Sequence, residues 1–501
     1  MITQSHHAES FRSLPATSTP ISPEKVAALL ASEWQLFTKN TKGSQTESVR
    51  SMKSLPLGVT SSFQHWDPYP ISIVSAKGAW MTDVDGRQLL DLSMGFGAML
   101  AGHLNPVVVE EAKAALDTGM LFVTPSPIST DAAERICRRF GIDQVRFTNS
   151  GTESTMYAVR VARSASGKSD IVKVEGGYHG SYDPFVVSSK PKVESAGDSD
   201  FPTPVTDSNL VTGNVFVVPY NNPESLEAIF EKHSKTIACF IVEPVLENIG
   251  IVLPDAGYLE RVRELCDQYG IILIFDEVKT GLTAGHQGAA QRLGVQPDLI
   301  TLAKSIGGGL TLAAFGGKQK YMDYVTNGKM AHFGTFNGNP LAMAGVRAVD
   351  KICNAETLAA AEALNQQALE RISEIIDEYQ LPAHTVGFGV KGCITWSTTP
   401  VRNYRDYKAT DFAVADLSWL WSLNRGIITP PGLDEQWLIS LAHGQKEIDI
   451  LVEDFRSLAI ALRSLSIATT KSARLRPRSI SCAFASSVPF AQAFAASGSF
   501  P

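Results

Sequence analysis

The chain has 501 residues, a hydrophobic fraction of 44% and a formal net charge of -7 at pH 7. A chain of this length exceeds the size at which one hydrophobic core stops growing, so we expect at least two packed units. The acidic balance argues against nucleic acid as the main partner, and no apolar run approaches the roughly 18 residues that cross a bilayer. The six cysteines are scattered without metal-ligand or disulfide spacing, which predicts no metal site and a cytoplasmic location.

The N-terminal part of the chain contains one recognisable element, a hairpin. Residues 79–83 and 88–92 flank the turn Val84-Asp85-Gly86-Arg87, which is typical of a connection between antiparallel strands. We expect residues 51–95 to pack with the smaller of the two units and residues 1–50 to form an N-terminal extension.

The central region, residues 96–340, alternates short β-branched runs with helix-period stretches. This pattern predicts a large α/β domain whose mostly parallel sheet is covered by helices on both faces. The runs predicted as strands are residues 145–148, 171–174, 215–218, 237–242, 271–275 and 299–302. Because ligands of such sheets bind beyond the carboxyl ends of the strands, we expect a site where the polar and glycine-rich segments follow these runs.

The last part of the chain predicts a smaller α/β domain and a tail. Helical stretches at residues 341–353 and 357–378 are followed by short strands near 392–396 and 426–429, and we assign residues 341–465 to this domain. Residues 466–501 are rich in serine and alanine and contain basic but no acidic side chains. This tail is predicted to be disordered.

A segment that suits a phosphate joins the first strand of the large domain to a helix. It contains Ser150, Gly151 and Thr152. Free N–H groups at a helix start, small hydroxyl side chains and the positive end of the helix dipole all favour an anion. An ordinary helix cap is the commoner explanation of such residues, so both alternatives stay open for this segment alone.

Two reactive side chains follow predicted strands. A buried strand delivers Asp276, whose carboxylate needs a cationic partner; a protonated pyridine nitrogen is one, and an ordinary ion pair is another. Lys304 follows the strand at 299–302 and precedes a run of glycines. An amine at a desolvated strand end acts as a nucleophile toward an aldehyde, whereas most single lysines are solvated surface groups.

Further candidates lie after two other strands. Tyr178 and His179 stand in a glycine-rich turn, where the tyrosine ring suits stacking on a flat cofactor. A turn with packed aromatic side chains explains the same residues. Glu243 follows the strand at 237–242, and residues 334–340 form a loop rich in backbone donors.

Two other function classes must be weighed. Gly167-Lys168-Ser169 nearly matches a P-loop, and residues 271–277 resemble the acidic strand that holds magnesium in ATPases. A P-loop requires strand, loop and helix in that order, whereas here a predicted helix precedes Gly167 and a strand follows Ser169. The second rival is a non-catalytic α/β binding protein, which predicts no chromophore.

With these residues in hand, the chain from about residue 57 to 462 resembles the class III, fold type I enzymes that depend on pyridoxal phosphate (PLP). Within them it is most similar to the glutamate-1-semialdehyde aminomutase branch. The matching stretches are residues 148–153, 175–180, 275–278, 302–309 and 334–340. The resemblance implies a large domain with a mostly parallel seven-stranded sheet, a smaller α/β domain, and an aminotransferase or aminomutase activity.

The resemblance also implies roles for individual residues. Lys304 and Asp276 are the catalytic pair: Lys304 forms the Schiff base with PLP, and Asp276 pairs with its pyridine nitrogen. The other cofactor-binding residues are Ser150, Gly151, Thr152, Tyr178, His179, Glu243, Val278 and Thr335. Thr335 is expected to reach the cofactor of a partner subunit, which predicts a homodimer.

Departures from the family pattern concern the substrate, for which the predicted contacts are Gln64, Phe96 and Glu435. Gln64 replaces an arginine of the aminomutases, Thr283 replaces a second common arginine, and Phe96 replaces a tryptophan. Neutral glutamine cannot supply the bidentate ion pair that arginine gives a carboxylate. The sequence therefore favours a transaminase acting on an amine, amino sugar or unusual amino acid, with the intramolecular aminomutase reaction as the alternative.

Overall fold

The fold is taken from a computed structural model that describes residues 11–206, 209–431 and 437–464. Its strands are β1 (Phe11–Ser13), β2 (Ile73–Lys77), β3 (Trp80–Asp83), β4 (Gln88–Asp91), β5 (Gln144–Thr148), β6 (Asp170–Val174), β7 (Val215–Val218), β8 (Ile237–Val242), β9 (Ile272–Glu277), β10 (Leu299–Leu302), β11 (Ala313–Gly317), β12 (His384–Phe388), β13 (Lys391–Thr395), β14 (Ile427–Ile428) and β15 (Trp437–Leu438). The predicted tail and Glu435 lie outside the described residues.

Helices connect and cover these strands. They are α1 (Pro23–Asn40), α2 (Lys42–Ser51), α3 (Pro106–Thr118), α4 (Pro127–Phe140), α5 (Gly151–Ser166), α6 (Asp183–Val186), α7 (Pro223–His233), α8 (Tyr258–Tyr269), α9 (Gly288–Leu293), α10 (Gln319–Thr326), α11 (Pro340–Ile352), α12 (Ala355–Glu378), α13 (Tyr404–Lys408), α14 (Phe412–Asn424) and α15 (Gln445–Arg463). Across the ranges that the structure describes, none of the helices combines the length and the apolar character needed to cross a membrane.

The central feature is a sheet of seven strands in the order β5-β11-β10-β9-β8-β6-β7. All pairings are parallel except those of β11, which runs antiparallel to both of its neighbours. This confirms the mostly parallel seven-stranded sheet that the sequence and the family resemblance predicted. Because β5 and β10 flank β11 and are both antiparallel to it, the carboxyl ends of six strands meet at one edge.

Two apolar layers bury this sheet. On one face, α5 packs on β8 and β10 and shares a core with Ile241 and Ile274. On the other face, α8 packs on β9, and its Val262 and Leu265 share a core with Phe240. Consecutive residues of one strand point to opposite faces, so Phe240 and Ile241 belong to different layers. The continuous apolar runs of these strands follow from burial on both faces.

Two smaller sheets lie among the other described residues. The predicted hairpin is confirmed as β3 and β4, which pair with β2 and with β14 in the order β14-β4-β3-β2. The other sheet has the order β1-β12-β13-β15, so the N-terminal strand β1 extends a C-terminal sheet. The parallel pairing of β4 with β14 supports the assignment of residues 51–95 to the smaller unit, although the domain boundaries themselves stay a prediction.

Candidate functional site

A cavity of about 430 Å³ opens at the edge where the parallel strands of the large sheet end. Residues at or just beyond the ends of β5, β6, β8, β9 and β10 line it, as does the start of α5. The structure thereby brings together ten of the residues predicted from the sequence. They are Phe96, Ser150, Gly151, Thr152, Tyr178, His179, Glu243, Asp276, Val278 and Lys304.

Asp276 is the buried acid of the cavity, with only 3% of its surface exposed. One carboxylate oxygen, Oδ1, accepts hydrogen bonds from Thr301 Oγ1 at 2.9 Å and from the Val278 N–H at 3.1 Å. The other, Oδ2, lies 2.7 Å from His179 Nδ1. Thr301 is the β10 residue paired directly with Asp276, so the sheet register itself sets the orientation of this carboxylate.

The two ring nitrogens of His179 have different surroundings. Its ring is buried, and Nδ1 faces the Asp276 carboxylate. Its other nitrogen, Nε2, is buried and has no hydrogen-bond partner in the described part of the chain. Most buried polar atoms are hydrogen-bonded, so this nitrogen is an exception.

Glu243 ties two strand ends together. Its carboxylate accepts from the Tyr178 N–H at 3.1 Å, from Asn248 Nδ2 at 2.8 Å and from the Glu247 N–H at 3.3 Å. Burial raises the pKa of Glu243 above its ordinary value, against the opposing charge of His179. We call Asp276, His179 and Glu243 the polar floor of the cavity.

The start of α5 offers backbone donors to the cavity. Ser150 is the N-cap, and its hydroxyl accepts from the Glu153 N–H at 3.2 Å. The N–H groups of Gly151 and Thr152 have no acceptor within the helix, because the first turn of a helix has none. A Cβ at Gly151 would lie 3.1 Å from Val278 Cγ1, so glycine permits the close approach of the helix start to the β9 end.

Lys304 stands at the end of β10 in a left-handed backbone conformation. It is half-buried, its φ is +49°, and it opens the short turn that precedes the glycine run. Such a conformation costs a non-glycine residue about 1 to 3 kcal/mol and clusters at functional sites. The turn places Lys304 in the cavity that Asp276 lines.

Aromatic rings line the open side of the cavity. The centroid of the Phe63 ring lies 5.9 Å from that of Phe96 and 6.0 Å from that of Tyr178. Phe63 is 49% exposed although it lines the cavity, so it stands where the cavity opens to solvent. We call Phe63, Phe96 and Tyr178 the aromatic mouth.

The remaining predicted contacts lie elsewhere. Gln64 is exposed and is not among the residues lining the cavity; its side-chain oxygen turns toward Thr60 and Ser61. Thr335 is exposed on a loop outside the cavity of its own chain, and Glu435 lies outside the described residues. Thr283 is buried, and its hydroxyl donates to the Lys279 carbonyl at 2.7 Å.

Several lining residues were not predicted from the sequence. They are Phe63, Asn149, Thr155, Asn248 and Lys279, together with residues 309–312. Asn149 lies inside the matched stretch 148–153 and Lys279 directly follows the stretch 275–278, and these positions are the signal that would have found them. Phe63 and Asn248 reach the cavity from separate turns, and nothing in their local sequence marks them.

The P-loop alternative does not fit the structure. Gly167 is the left-handed C-cap of α5, with φ +68°, and β6 begins at Asp170. The glycine therefore ends a helix, whereas a phosphate-binding loop of that kind precedes one. The segment lacks the backbone arrangement that cradles a nucleotide phosphate.

Comparison with known proteins assigns the family. The model of the aminotransferase class-III family matches residues 62–405. The chain belongs to the class III aminotransferases. It is 38% identical over 409 residues to a glutamate-1-semialdehyde 2,1-aminomutase of Methanocorpusculum labreanum, in an alignment that covers 80% of this chain and 96% of that relative.

Solved structures support the same family. An omega-transaminase from Sphaerobacter thermophilus superposes with a TM-score of 0.80 at 30% identity, covering 84% of this chain and 98% of that one. A transaminase solved with PLP bound gives a TM-score of 0.77 at 28% identity, over 84% and 98% of the two chains. This class III aminotransferase therefore has the fold type I architecture. It depends on PLP to move an amino group between a donor and a carbonyl acceptor.

Proposed function

We propose that this aminotransferase moves an amino group from an amine or amino acid donor to a separate carbonyl acceptor, with PLP attached to Lys304. The observation that carries the proposal is the convergence of Lys304 and Asp276 on one cavity from the adjacent parallel strands β10 and β9. When bound, PLP supplies two things. Its aldehyde carbon reacts with amines, and its ring acts as an electron sink.

The chemistry of the cavity residues fits this cofactor. The N–H groups of Gly151 and Thr152, with the Ser150 and Thr152 hydroxyls, suit a phosphate at the positive end of α5. Asp276 supplies the negative charge that a protonated pyridine nitrogen requires, and His179 Nδ1, 2.7 Å from its Oδ2, helps to hold the carboxylate in place.

Other residues hold the ring in place. Tyr178 would stack on the ring and Val278 would pack against it, while Glu243 fixes the Tyr178 main chain. Lys304 also moves a proton. Its Nζ would take a proton from the reacting substrate carbon as general base and deliver it, as general acid, to the carbon that the cofactor brings as an aldehyde.

An intermolecular reaction is favoured over the aminomutase reaction by two positions. Gln64 and Thr283 stand where the family resemblance implies arginines, and the polar atoms of both contact their own turns. Neither supplies the forked ion pair that a substrate carboxylate forms with arginine. The aminomutase reaction is the second candidate, and the name of the Methanocorpusculum labreanum relative favours it.

A homodimer is the second part of the proposal. Thr335 is exposed and lies between two exposed aromatic side chains, Phe333 at 82% and Phe336 at 60%. Exposed apolar side chains of this size are typical of a surface that another chain covers. In the dimer, Thr335 reaches the phosphate in the partner subunit. The donor and acceptor are small molecules, and buried free thiols such as Cys239 and Cys266 suit a cytoplasmic location.

Two experiments test the function. The purified protein with PLP is expected to be yellow and to lose its absorbance band on borohydride treatment; a colourless protein would contradict the cofactor role of Lys304. Glutamate-1-semialdehyde alone and, separately, a panel of donors with a keto acid are then supplied. Product formed only with a donor and a keto acid supports the transaminase. Rapid conversion of the semialdehyde without an acceptor supports the aminomutase. A molar mass of one chain, measured by light scattering, would overturn the dimer.

A further inference from the structure

The turn that carries Phe63 is fixed by its neighbour Gln64. The side-chain oxygen of Gln64 accepts hydrogen bonds from Thr60 Oγ1 at 2.8 Å and from the N–H groups of Thr60 and Ser61 at 3.1 and 3.2 Å. The Gln64 N–H in turn donates to the Ser61 carbonyl at 2.9 Å. These bonds close a short helical turn over residues 62–64, and Phe63 is its central residue.

An arginine could not hold this turn in the same way. A guanidinium carries only donors, whereas the turn requires an acceptor at position 64 for three donors of residues 60 and 61. The position that the resemblance assigns to a carboxylate-binding arginine is therefore used here for local structure. Its effect on a substrate is exerted through the ring of Phe63.

Phe96 is held beside Phe63 by an unusual backbone. Met94, Gly95, Phe96 and Gly97 all have positive φ angles, at 44°, 58°, 55° and 98°. Positive φ at two bulky residues in one short turn is strained, and strain of this kind persists where the surrounding structure enforces it. The left-handed turn directs the Phe96 ring into the cavity that Phe63 and Tyr178 also line.

We propose that Phe63 and Phe96, whose rings contact each other, form an aromatic wall that selects donors with a flat apolar group on the carbon bearing the amine, and that Gln64 is a positioning residue for this wall. The inference rests on the proposed transaminase function and names its substrate class. Ala98, Leu310 and Leu312 also line the cavity, so the donor group meets further apolar surface. Offset or edge-to-face contact with an aromatic ring adds about 2- to 10-fold in binding beyond the burial of apolar area.

The test measures the first half of the reaction, so that no acceptor is needed. The holoenzyme is mixed with 1-phenylethylamine, with 2-aminobutane as a small apolar donor, or with 4-aminobutyrate as a donor bearing a carboxylate, and the absorbance change of the bound cofactor is followed. We expect the wild type to prefer the phenyl donor. Phe63→Ala should lower its kcat/KM for that donor about tenfold, mainly through KM, while changing the value for 2-aminobutane less than about threefold.

Matched variants separate the loss of the aromatic wall from general damage to the fold. Phe201→Ala removes a phenylalanine of similar exposure, 54%, that does not line the cavity, and should leave the donor preference unchanged. Phe96→Leu retains the apolar volume and loses the flat ring, so it is the safer variant at the strained turn. It should reduce the preference for the phenyl donor over 2-aminobutane.

Position 64 gives the decisive comparison. Gln64→Ala removes the acceptor and should reduce the phenyl preference in the same direction as Phe63→Ala, whereas Gln64→Glu should restore it, because carboxylate oxygens accept from the same donors. If Phe63→Ala and Phe96→Leu keep the donor preference of the wild type while donors still change the cofactor absorbance, the aromatic wall is refuted. The transaminase function would then still stand. A cofactor that responds to none of the donors would overturn both.

Discussion

The polar floor and the aromatic mouth of one cavity are built on different principles. The floor consists of buried ionisable groups at the ends of neighbouring parallel strands, and each is hydrogen-bonded to another strand end. The mouth consists of three rings on three separate turns, joined by contacts of about 6 Å between ring centroids. Asp276 and His179 of the floor lie in the matched stretches 275–278 and 175–180, whereas Phe96 of the mouth stands where the family resemblance implies a tryptophan.

Chemistry and specificity are therefore encoded in different parts of the cavity. Removing one partner from a buried charged network leaves the others uncompensated, so substitutions in the floor should be severe and should affect every substrate. Contacts between rings are individually small, so substitutions in the mouth should be mild and should depend on the substrate.

The largest effect is expected at Lys304, where β10 meets the floor. Lys304→Ala removes the amine that attaches the cofactor and moves the proton, so activity should fall by at least about 10³-fold with every donor. The absorbance band that borohydride abolishes in the wild type should be missing in the variant. Activity is measured by single-turnover absorbance and by product formation.

Lys168→Ala is the matched control for Lys304. Lys168 belongs to the P-loop-like segment, and its Nζ lies 3.5 Å from the Gly270 carbonyl, away from the cavity lining. The control should retain wild-type activity. Equal loss in both variants would mean that lysine removal damages the fold in general, and a fully active Lys304→Ala would refute the attachment site.

The next largest effect is expected for Asp276→Asn, which preserves the shape of the side chain and removes its charge. Loss of one preorganised charge in a buried site typically costs about 10²- to 10³-fold in rate. The loss should appear in kcat with the phenyl and the small donor alike, because the floor acts on the cofactor. A loss of kcat with only one of the two donors would contradict the proposal that the floor acts on the cofactor and the mouth on the substrate.

Burial of Glu277, the neighbour of Asp276 in β9, should also appear in the pH dependence of stability. Glu277, next to Asp276, accepts N–H bonds from Ala289 and Ala290, yet burial raises its pKa to about 7. The folded state therefore holds a proton that the unfolded state releases near pH 4.5, and its stability falls as the pH rises from about 4.5 to 7. This corresponds to about 3 kcal/mol across the window.

Glu277→Gln removes that titration, so its apo form should lose less stability than the wild type over the same pH range. Thermal unfolding of both proteins between pH 5 and 8 measures the difference in slope, which is independent of any constant cost of the substitution. Phe63→Ala is the control from the mouth and should give a curve parallel to the wild type. Parallel curves for Glu277→Gln would show that Glu277 titrates normally in the folded state.

The sequence predicted the floor better than the mouth for physical reasons. Asp276, Glu243 and Lys304 follow apolar runs that identify buried strands, and parallel strands bring their carboxyl ends to one edge whatever the details of packing. Strand β11 was missed because Gly316 and Gly317 weaken its β pattern. A Cβ at either glycine would collide with backbone of β5 or of the residue preceding β10.

The mouth could not be read from the sequence in the same way. Phe63 lies far from every motif residue that it meets, and its position depends on a turn closed by Gln64, which looked like a substrate contact. The positive φ angles of Phe96 and Lys304 have no local sequence signature, since neither residue type favours that conformation. Tertiary packing imposes both.

Tyr178 offers the smallest but sharpest test, because it belongs to both regions. Its main-chain N–H donates to Glu243 in the floor, while its ring meets Phe63 in the mouth. Substitution of the side chain leaves the N–H in place, so only the contribution of the ring is removed. Tyr178→Phe should alter PLP affinity and the phenyl-donor kcat/KM by less than about twofold, and Tyr178→Ala should weaken each about tenfold.

The comparison of these two variants decides what Tyr178 contributes. PLP affinity is obtained by titrating the apo form, and donor preference by the half-reaction with the phenyl and the small donor. If the ring is what acts, the phenylalanine variant stays near the wild type and the alanine variant loses both cofactor affinity and donor preference. If the phenylalanine variant loses as much as the alanine variant, the hydroxyl is the contributing group, and Tyr178 belongs with the polar floor.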